Sequence, residues 1–175
     1  GNTKKNWGRE PKELPASIIK RIPIRYTYDD SYFFDRYQGI PIGGYTAIFD
    51  ALLKGVALET GVDFLKDRER LEGIAEKIVY TGSIDELFDC EEGRLEWRST
   101  KFTQKEMDGD YQGTSVINYT DEKIPFTRIT EHKHFEFGAA GVGSTVITHE
   151  YPQKWSPGKI KIYPINNKRN EELYE

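Results

Sequence analysis

The spacing of hydrophobic residues changes near Gly93. Before Gly93, apolar residues recur at helical intervals or in short runs, whereas after it they alternate with polar residues. Helical spacing predicts short helices, and alternation predicts strands with one buried face. Consecutive strands joined by short polar connections favour antiparallel pairing. We therefore expect an α+β fold, in which a mixed, largely antiparallel sheet is accompanied by a few short helices.

The part of the chain before Gly93 predicts a series of short elements. Its first residues are polar, and Pro11 and Pro15 prevent a long helix there. The Gly43-Gly44 pair permits a tight turn before a helix, and Gly55 stands where the C-terminal cap of that helix belongs. The predicted elements are a helical turn at 16–21, a helix at 45–53, strands at 56–60 and 77–81, and a helix at 84–88.

The part after Gly93 predicts several strands. Alternating segments occur at 95–102, 116–118, 126–129 and 145–147, and residues 162–174 predict a strand end, a turn and the start of a helix. A glycine-rich loop at 138–144 connects the last two alternating segments. It contains GxxxxG, but Ser144-Thr145 stands where a phosphate loop carries Lys-Ser/Thr, so we do not interpret it as a nucleotide loop.

Composition narrows the possible functions. The 175 residues suffice for one domain or one and a part, and a net charge of −4 argues against a general nucleic-acid or membrane-surface binder. The chain lacks an apolar run of about 20 residues and begins without a secretory signal. We therefore expect a soluble, cytoplasmic protein. The lone Cys90 excludes an internal disulfide and a thiolate metal site.

Residues 21–53 interleave arginines with tyrosines and phenylalanines. Arginine provides a planar charged fork for phosphate oxygens, and aromatic rings provide faces for a base or a sugar. The segment therefore suits a ligand that has both phosphates and flat rings. The candidate anion-binding residues are Arg21, Arg25, Arg98 and Arg128. Taken singly, an arginine is more often solvated or paired with an acid, and an aromatic residue is more often part of the core.

The histidines suggest a metal site only weakly. His132 and His134 would point the same way on a strand and could share one ion, but a third ligand at suitable spacing is missing. We favour a strand face that is hydrogen-bonded within the sheet, and we expect no metal. His149 has no evident partner and is predicted at the surface, and Asp108 and Asp110 are predicted to be loop acids.

Several motifs together resemble the UDP-galactopyranose mutase family, over nearly the whole chain. They are Trp7, Pro-Lys-Glu-Leu-Pro at 11–15, Val-Tyr-Thr-Gly at 79–82, Phe-Thr-Arg-Ile at 126–129 and Glu-His-Lys-His-Phe at 131–135. The resemblance implies a flavoenzyme that isomerises UDP-galactopyranose to UDP-galactofuranose for surface polysaccharides, through an adduct between flavin N5 and the sugar. It also implies FAD bound by a Rossmann-like domain. The chain has no GxGxxG, so we expect an internal fragment whose FAD domain lies mostly outside it.

The family's functional residues carry over to named positions. The resemblance implies that Arg21, in Arg21-Ile22-Pro23, and Arg128 are the catalytic pair that holds the substrate diphosphate. The other implied substrate contacts are Thr3, Trp7, Tyr32, Phe33, Asn118 and Tyr151. The implied cofactor contacts are Val79, Tyr80, Thr81, Gly82 and Arg98. Asn2 stands where many relatives carry an aromatic residue, so it is not among the expected contacts.

The resemblance also implies how the chain is divided. Residues 1–24 are expected to be a remnant of a helical substrate domain with a mobile arginine loop, and 25–175 a mixed-sheet substrate domain that returns to the FAD domain. We expect UDP or UDP-galactose as ligand, a homodimeric full-length enzyme, and neither nucleic acid nor membrane as partner. The isolated fragment should be inactive and should not retain FAD. Two alternatives stay open, a fragment of a related flavin amine oxidase and a non-catalytic nucleotide-sugar binding module.

Overall fold

The computed structural model describes residues 4–5, 8, 10, 12, 26–29, 31, 33–136, 138 and 143–175. Within these residues the helices are α1 (Thr46–Leu52), α2 (Arg68–Ile74), α3 (Ile84–Leu87) and α4 (Lys168–Tyr174), with a 3-10 helix at His132–Phe135. The strands are β1 (Trp97–Asp108), β2 (Val116–Asn118), β3 (Arg128–Glu131), β4 (Ser144–Lys154) and β5 (Tyr163–Pro164). The predicted turn of helix at 16–21 lies outside the described residues.

The strands form one five-stranded sheet in the order β2-β3-β4-β1-β5. Every pair is antiparallel, so the sheet is antiparallel where the sequence predicted a mixed, largely antiparallel one. The α+β class is confirmed, as are the strands expected after Gly93 and the helices expected at 45–53, at 84–88 and at the end of the chain. The two longest strands, β1 and β4, pair in register from Arg98 opposite Lys154 to Asp108 opposite Ser144.

The strands predicted at 56–60 and 77–81 are wrong, since the structure has neither. A strand requires a neighbour that satisfies its N–H and C=O groups, and within the described part of the chain no segment pairs with either run. Both are largely exposed, and Val79 is 89% exposed. Helix α2 was not predicted. The sequence feature that could have predicted it is the i,i+4 pair of Arg68 and Glu72, whose side chains lie 2.7 Å apart.

The buried centre of the sheet combines a few apolar residues with polar ones. Ile129 and Ile147 are each 1% exposed, and Glu131 beside them is 0% exposed. In β3 the residues alternate in burial, with Ile129 and Glu131 buried and Arg128 exposed. This alternation follows from the pleat of a strand, which sends successive side chains to opposite faces. The sheet is therefore held together by hydrogen bonds and register as much as by apolar burial.

Helix α4 closes the sheet at the start of β1. Asn167 caps the helix, because its side chain accepts a hydrogen bond from the Asn170 N–H at 2.8 Å. The buried Asn170 amide then donates to the carbonyls of Ile165 and Glu96, at 2.7 and 3.0 Å, and accepts from the Glu96 N–H at 2.9 Å. Among the described residues there is no helix with the length and apolar character needed to cross a bilayer.

Candidate functional site

Four of the predicted site residues lie at one end of the sheet. Strands β1 and β3 begin there, at Trp97 and Arg128, and β2 and β4 end there, at Asn118 and Lys154. We call this region, defined by Arg98, Asn118, Arg128 and Tyr151, the arginine end. The residues come from four separate strands, so they are brought together by the antiparallel register and not by closeness in sequence.

Arg128 is held in a fixed orientation at the arginine end. Its Nε donates to Oδ1 of Asn118 at 3.1 Å, and its Nη1 lies 3.5 Å from the Glu150 carboxylate. Both partners stand directly opposite Arg128 in the sheet, Asn118 on β2 and Glu150 on β4. The side chain stays 46% exposed. Because a guanidinium carries five N–H donors, these two contacts orient it and leave donors for an anion.

Tyr151 projects from the other face of the sheet at the same end. It follows Glu150 on β4, and successive strand residues point to opposite faces. Its ring belongs to an aromatic cluster, which we define as Tyr119, Phe126, His149 and Tyr151. The ring centroids of Phe126 and Tyr151 are 6.0 Å apart, and those of Phe126 and Tyr119 are 4.8 Å apart, both edge to face. A ligand that contacts both Arg128 and Tyr151 therefore has to pass around the strand ends.

His149 was predicted at the surface without a partner, and that prediction is wrong. It is half-buried in the aromatic cluster, with its ring 4.9 Å from Phe126 and 6.2 Å from Tyr151 between centroids. Burial lowers the pKa of the imidazole, and the nearby positive charge of Lys105 lowers it further. The spacing in the sequence could have predicted this contact, because residues 149 and 151 share a face of one strand.

The N-terminal segment reaches the arginine end through Lys5 and Gly8. The Lys5 ammonium donates to the carbonyls of Tyr119 and Phe126, each at 2.6 Å. Gly8 lies against Arg98, since a Cβ on Gly8 would stand 3.2 Å from Nη1 of that arginine. Arg98 itself is buried, at 9% exposure. Gly8 thus lies against β1, and Lys5 is bonded to the connection between β2 and β3.

Some predicted contacts lie outside the described residues. These are Thr3, Trp7, Arg21 and Tyr32. Phe33 is described and is 57% exposed. The convergence of Arg21 and Arg128 on one diphosphate accordingly stays a prediction.

The predicted cofactor contacts divide into an exposed segment and a buried arginine. Residues 79–82 lie outside the helices and strands, and their backbone groups make no backbone hydrogen bond within the described residues. The Tyr80 ring packs on Phe64 at 5.3 Å, and its hydroxyl end lies over Gly82, so a Cβ on Gly82 would require the Tyr80 ring to move. The stretch leads into α3, which is fixed beside the start of β1 because the Leu95 N–H donates to Asp85 at 3.1 Å.

The histidines at 132 and 134 lie in a 3-10 helix, so the expectation that they share a strand face is wrong. The strand ends at Glu131, and the two side chains diverge. His132 shares a hydrogen bond of 2.7 Å with the Thr148 hydroxyl, and His134 shares one of 2.8 Å with Asp110. The sequence missed this pairing because the loop acid comes from the connection after β1.

Asp110, Glu131 and His134 bring three possible metal ligands within 4.8 Å of one another. The Lys133 ammonium lies 3.6 Å from the Asp110 carboxylate and 3.8 Å from the Glu131 carboxylate, so its positive charge balances the two acids. The Glu131 oxygens also accept the N–H groups of Tyr111 and Gln112, at 3.0 and 2.7 Å. We interpret this cluster as a structural support for the loop after β1.

Comparison with known proteins identifies the family. The sequence model of the UDP-galactopyranose mutase family matches residues 1–175. The chain is 40% identical to dTDP-fucopyranose mutase of Escherichia coli over 171 residues, 94% of this chain and 45% of that protein. It is 40% identical to the probable UDP-galactopyranose mutase of Klebsiella pneumoniae over 177 residues, 100% of this chain and 45% of that protein. It is 30% identical to UDP-galactopyranose mutase of Mycoplasma genitalium over 187 residues, 98% of this chain and 46% of that protein.

The chain thus spans a little under half the length of the curated relatives it matches. The arginine end contains Arg128, from the Phe-Thr-Arg-Ile motif of the resemblance, and the implied contact Asn118. The match of the family model covers all 175 residues. The chain belongs to the UDP-galactopyranose mutase family.

Proposed function

We propose that this chain is the substrate-binding part of an enzyme that isomerises UDP-galactopyranose to UDP-galactofuranose. Its membership of the mutase family supports the reaction class. The names of the Klebsiella and Mycoplasma relatives support the UDP-sugar. Family membership also favours this function over the two alternatives, a flavin amine oxidase and a non-catalytic binding module.

The observation that carries the proposal is the orientation of Arg128. Asn118 and Glu150 hold its guanidinium from both neighbouring strands, while the side chain remains 46% exposed. A guanidinium fixed before binding loses little freedom when a diphosphate arrives, and its planar fork matches two phosphate oxygens. In the proposed site Arg128 holds the diphosphate together with Arg21, and Tyr151 contacts the substrate around the strand ends.

The proposed role of this chain in catalysis is to hold UDP while its bond to the sugar is broken. Glu150 keeps the Arg128 guanidinium directed at the diphosphate, where negative charge increases as UDP leaves. A retained leaving group can rejoin the sugar after the ring has changed size, which raises the effective concentration of the second reactant. Closure of a loop around Arg21 would exclude water from the activated sugar.

We further propose that residues 79–82 and Arg98 hold part of an FAD cofactor. The backbone groups of 79–82 make no backbone hydrogen bond within the described residues, so they are available to the polar edge of a flat ring system. When bound and reduced, FAD supplies a nucleophile for the anomeric carbon of the sugar. The flavin domain and the homodimer remain predictions from the resemblance, and a cytoplasmic location remains a prediction from the composition.

A second substrate is favoured by one specific observation. The dTDP-fucopyranose mutase of Escherichia coli is as similar to this chain, at 40% identity, as the probable UDP-galactopyranose mutase of Klebsiella. The two sugar nucleotides share a diphosphate, so both require the arginine pair. The base and the sugar distinguish them, and the two substrates should be compared on the same preparation.

The test uses the intact protein with reduced FAD and measures conversion of each sugar nucleotide by chromatography. Arg128→Ala should lower kcat/KM by about a hundredfold or more while leaving the circular dichroism spectrum unchanged. Lys123→Ala, an exposed residue in the connection that precedes Arg128, is the matched control and should retain normal rates. Normal turnover of Arg128→Ala would overturn the proposed role. The 175-residue chain alone should be colourless and inactive, and a flavin spectrum in that chain would contradict this expectation.

A further inference from the structure

His149 and Tyr151 form a stacked pair on one face of β4. Their ring planes differ by 24°, and their centroids are 6.2 Å apart. Phe126 closes the pair from the side, edge to face with both rings at 4.9 and 6.0 Å. Tyr151 thus has a flat ring beside it and an aromatic edge across it, which together restrict rotation of its side chain.

Burial and the nearby positive charge of Lys105 favour the neutral form of this imidazole. Thr103 lies directly opposite His149 on β1, and Ile129 lies opposite it on β3. Neither side chain offers a charge, and the Nδ1 atom of His149 is buried without a hydrogen-bond partner among the described residues. A histidine that neither accepts nor donates at Nδ1 contributes mainly its flat ring. Its role at this position is therefore packing against Tyr151.

We propose that His149 is a positioning residue for Tyr151, holding the phenol ring at the arginine end in the orientation that meets the sugar nucleotide. This inference rests on the proposed function, because it takes Tyr151 as a substrate contact. Without His149 the ring would lose the neighbour that stacks on it and would sample other rotamers. Substrate would then have to order the ring on binding, which weakens binding but leaves the chemical step unchanged.

The experiment measures kcat and KM for UDP-galactopyranose with the intact protein and reduced FAD, and UDP affinity by calorimetry. His149→Ala should raise KM and the Kd of UDP by about three- to tenfold, with kcat changed by less than about twofold. His149→Phe keeps a flat ring beside Tyr151 and should restore KM to within about twofold of the original. Val146→Ala, on the same strand but on the opposite face and exposed, is the matched control and should leave both constants unchanged.

A double-mutant cycle separates this inference from the proposed function. Tyr151→Phe removes the hydroxyl, and if Tyr151 contacts the substrate it should raise KM by itself. Adding His149→Ala to Tyr151→Phe should then cost less than His149→Ala costs in the original protein. If Tyr151→Phe weakens binding but His149→Ala does not, the positioning role is wrong while the proposed site stands. If the unmodified enzyme turns over neither sugar nucleotide, the proposed function itself fails.

Discussion

The buried carboxylate of Glu131 allows a quantitative test of how the sheet holds its loop. Glu131 is 0% exposed, and its two oxygens accept the N–H groups of Tyr111 and Gln112 at 3.0 and 2.7 Å. Glu131→Gln keeps the shape but replaces one acceptor oxygen with an NH2 group. One backbone N–H then faces a donor in a dry site. A lost hydrogen bond to a charged group costs about 1.5–3 kcal/mol, and the orphaned donor adds to this.

The assay is hydrogen exchange of the intact protein, followed by mass spectrometry of peptides that cover residues 109–113. A loss of about 2–3 kcal/mol in local stability should speed exchange of the Tyr111 and Gln112 amides by about 30- to 160-fold. Peptides from α2, which make no contact with Glu131, should exchange at unchanged rates. Glu122→Gln is the matched control, because the Glu122 side chain is 53% exposed and lies in the connection between β2 and β3, so exchange of residues 109–113 should change by less than about fivefold.

The same carboxylate predicts a pH dependence with a definite sign. Burial raises the pKa of Glu131, but the hydrogen bonds from the Tyr111 and Gln112 amides favour the charged carboxylate, and the pKa lies below its usual value of 4.5. Protection of the loop should then be complete above about pH 4.5 and should be lost as the pH falls through the lowered pKa. Equal exchange in Glu131→Gln and the original protein at neutral pH would refute the reasoning.

Two other predictions concern stability. The Lys161 ammonium lies 4.9 Å from the centre of the Trp97 ring, 5.3 Å from that of the Trp155 ring and 2.8 Å from the Glu86 carboxylate. Lys161→Met should therefore lower the free energy of unfolding by about 1–3 kcal/mol, measured by urea titration with tryptophan fluorescence. An unchanged midpoint would contradict this. Because burial and the charge of Lys105 lower the pKa of His149 in the folded protein, the His149 imidazole is protonated more readily in the unfolded chain. Stability should therefore decline as the pH falls below about 6.5, and His149→Phe should flatten the decline; a parallel decline in that variant would exclude His149 as its source.

The sequence predicted the sheet better than the parts outside it. Alternation located β1, β2, β3 and β4, and β3 shows the expected pattern most clearly, with Ile129 and Glu131 buried and Arg128 exposed. The runs at 56–60 and 77–81 have the same β-branched composition but no strand beside them, so composition alone gave the wrong structure. Helix α2 was missed because its stabilising contacts are surface ion pairs, such as Arg70 with Asp67 at 2.6 Å, and not an apolar stripe.

The site could be predicted only in part. The resemblance implied Arg128 and Asn118 as substrate contacts, and the structure places them opposite each other, but nothing in the spacing showed that Glu150 would hold the guanidinium from the other side. Partners of this kind come from strand register, which a single sequence specifies poorly. His149 shows the same limit. The sequence offered no partner for it and so predicted exposure, whereas the structure half-buries it beside Tyr151.

Register also explains how Lys5 acts on the arginine end. A shift of one residue in β3 would move Arg128 to the face where Tyr151 stands and would break its contacts with Asn118 and Glu150. The connection from Tyr119 to Phe126 fixes that register, with the Tyr119 N–H bonded to Thr127 and the Thr127 N–H bonded to Glu150, each at 2.9 Å. The Lys5 ammonium joins the carbonyls at both ends of this connection. The N-terminal segment therefore holds the loop that sets the direction of Arg128.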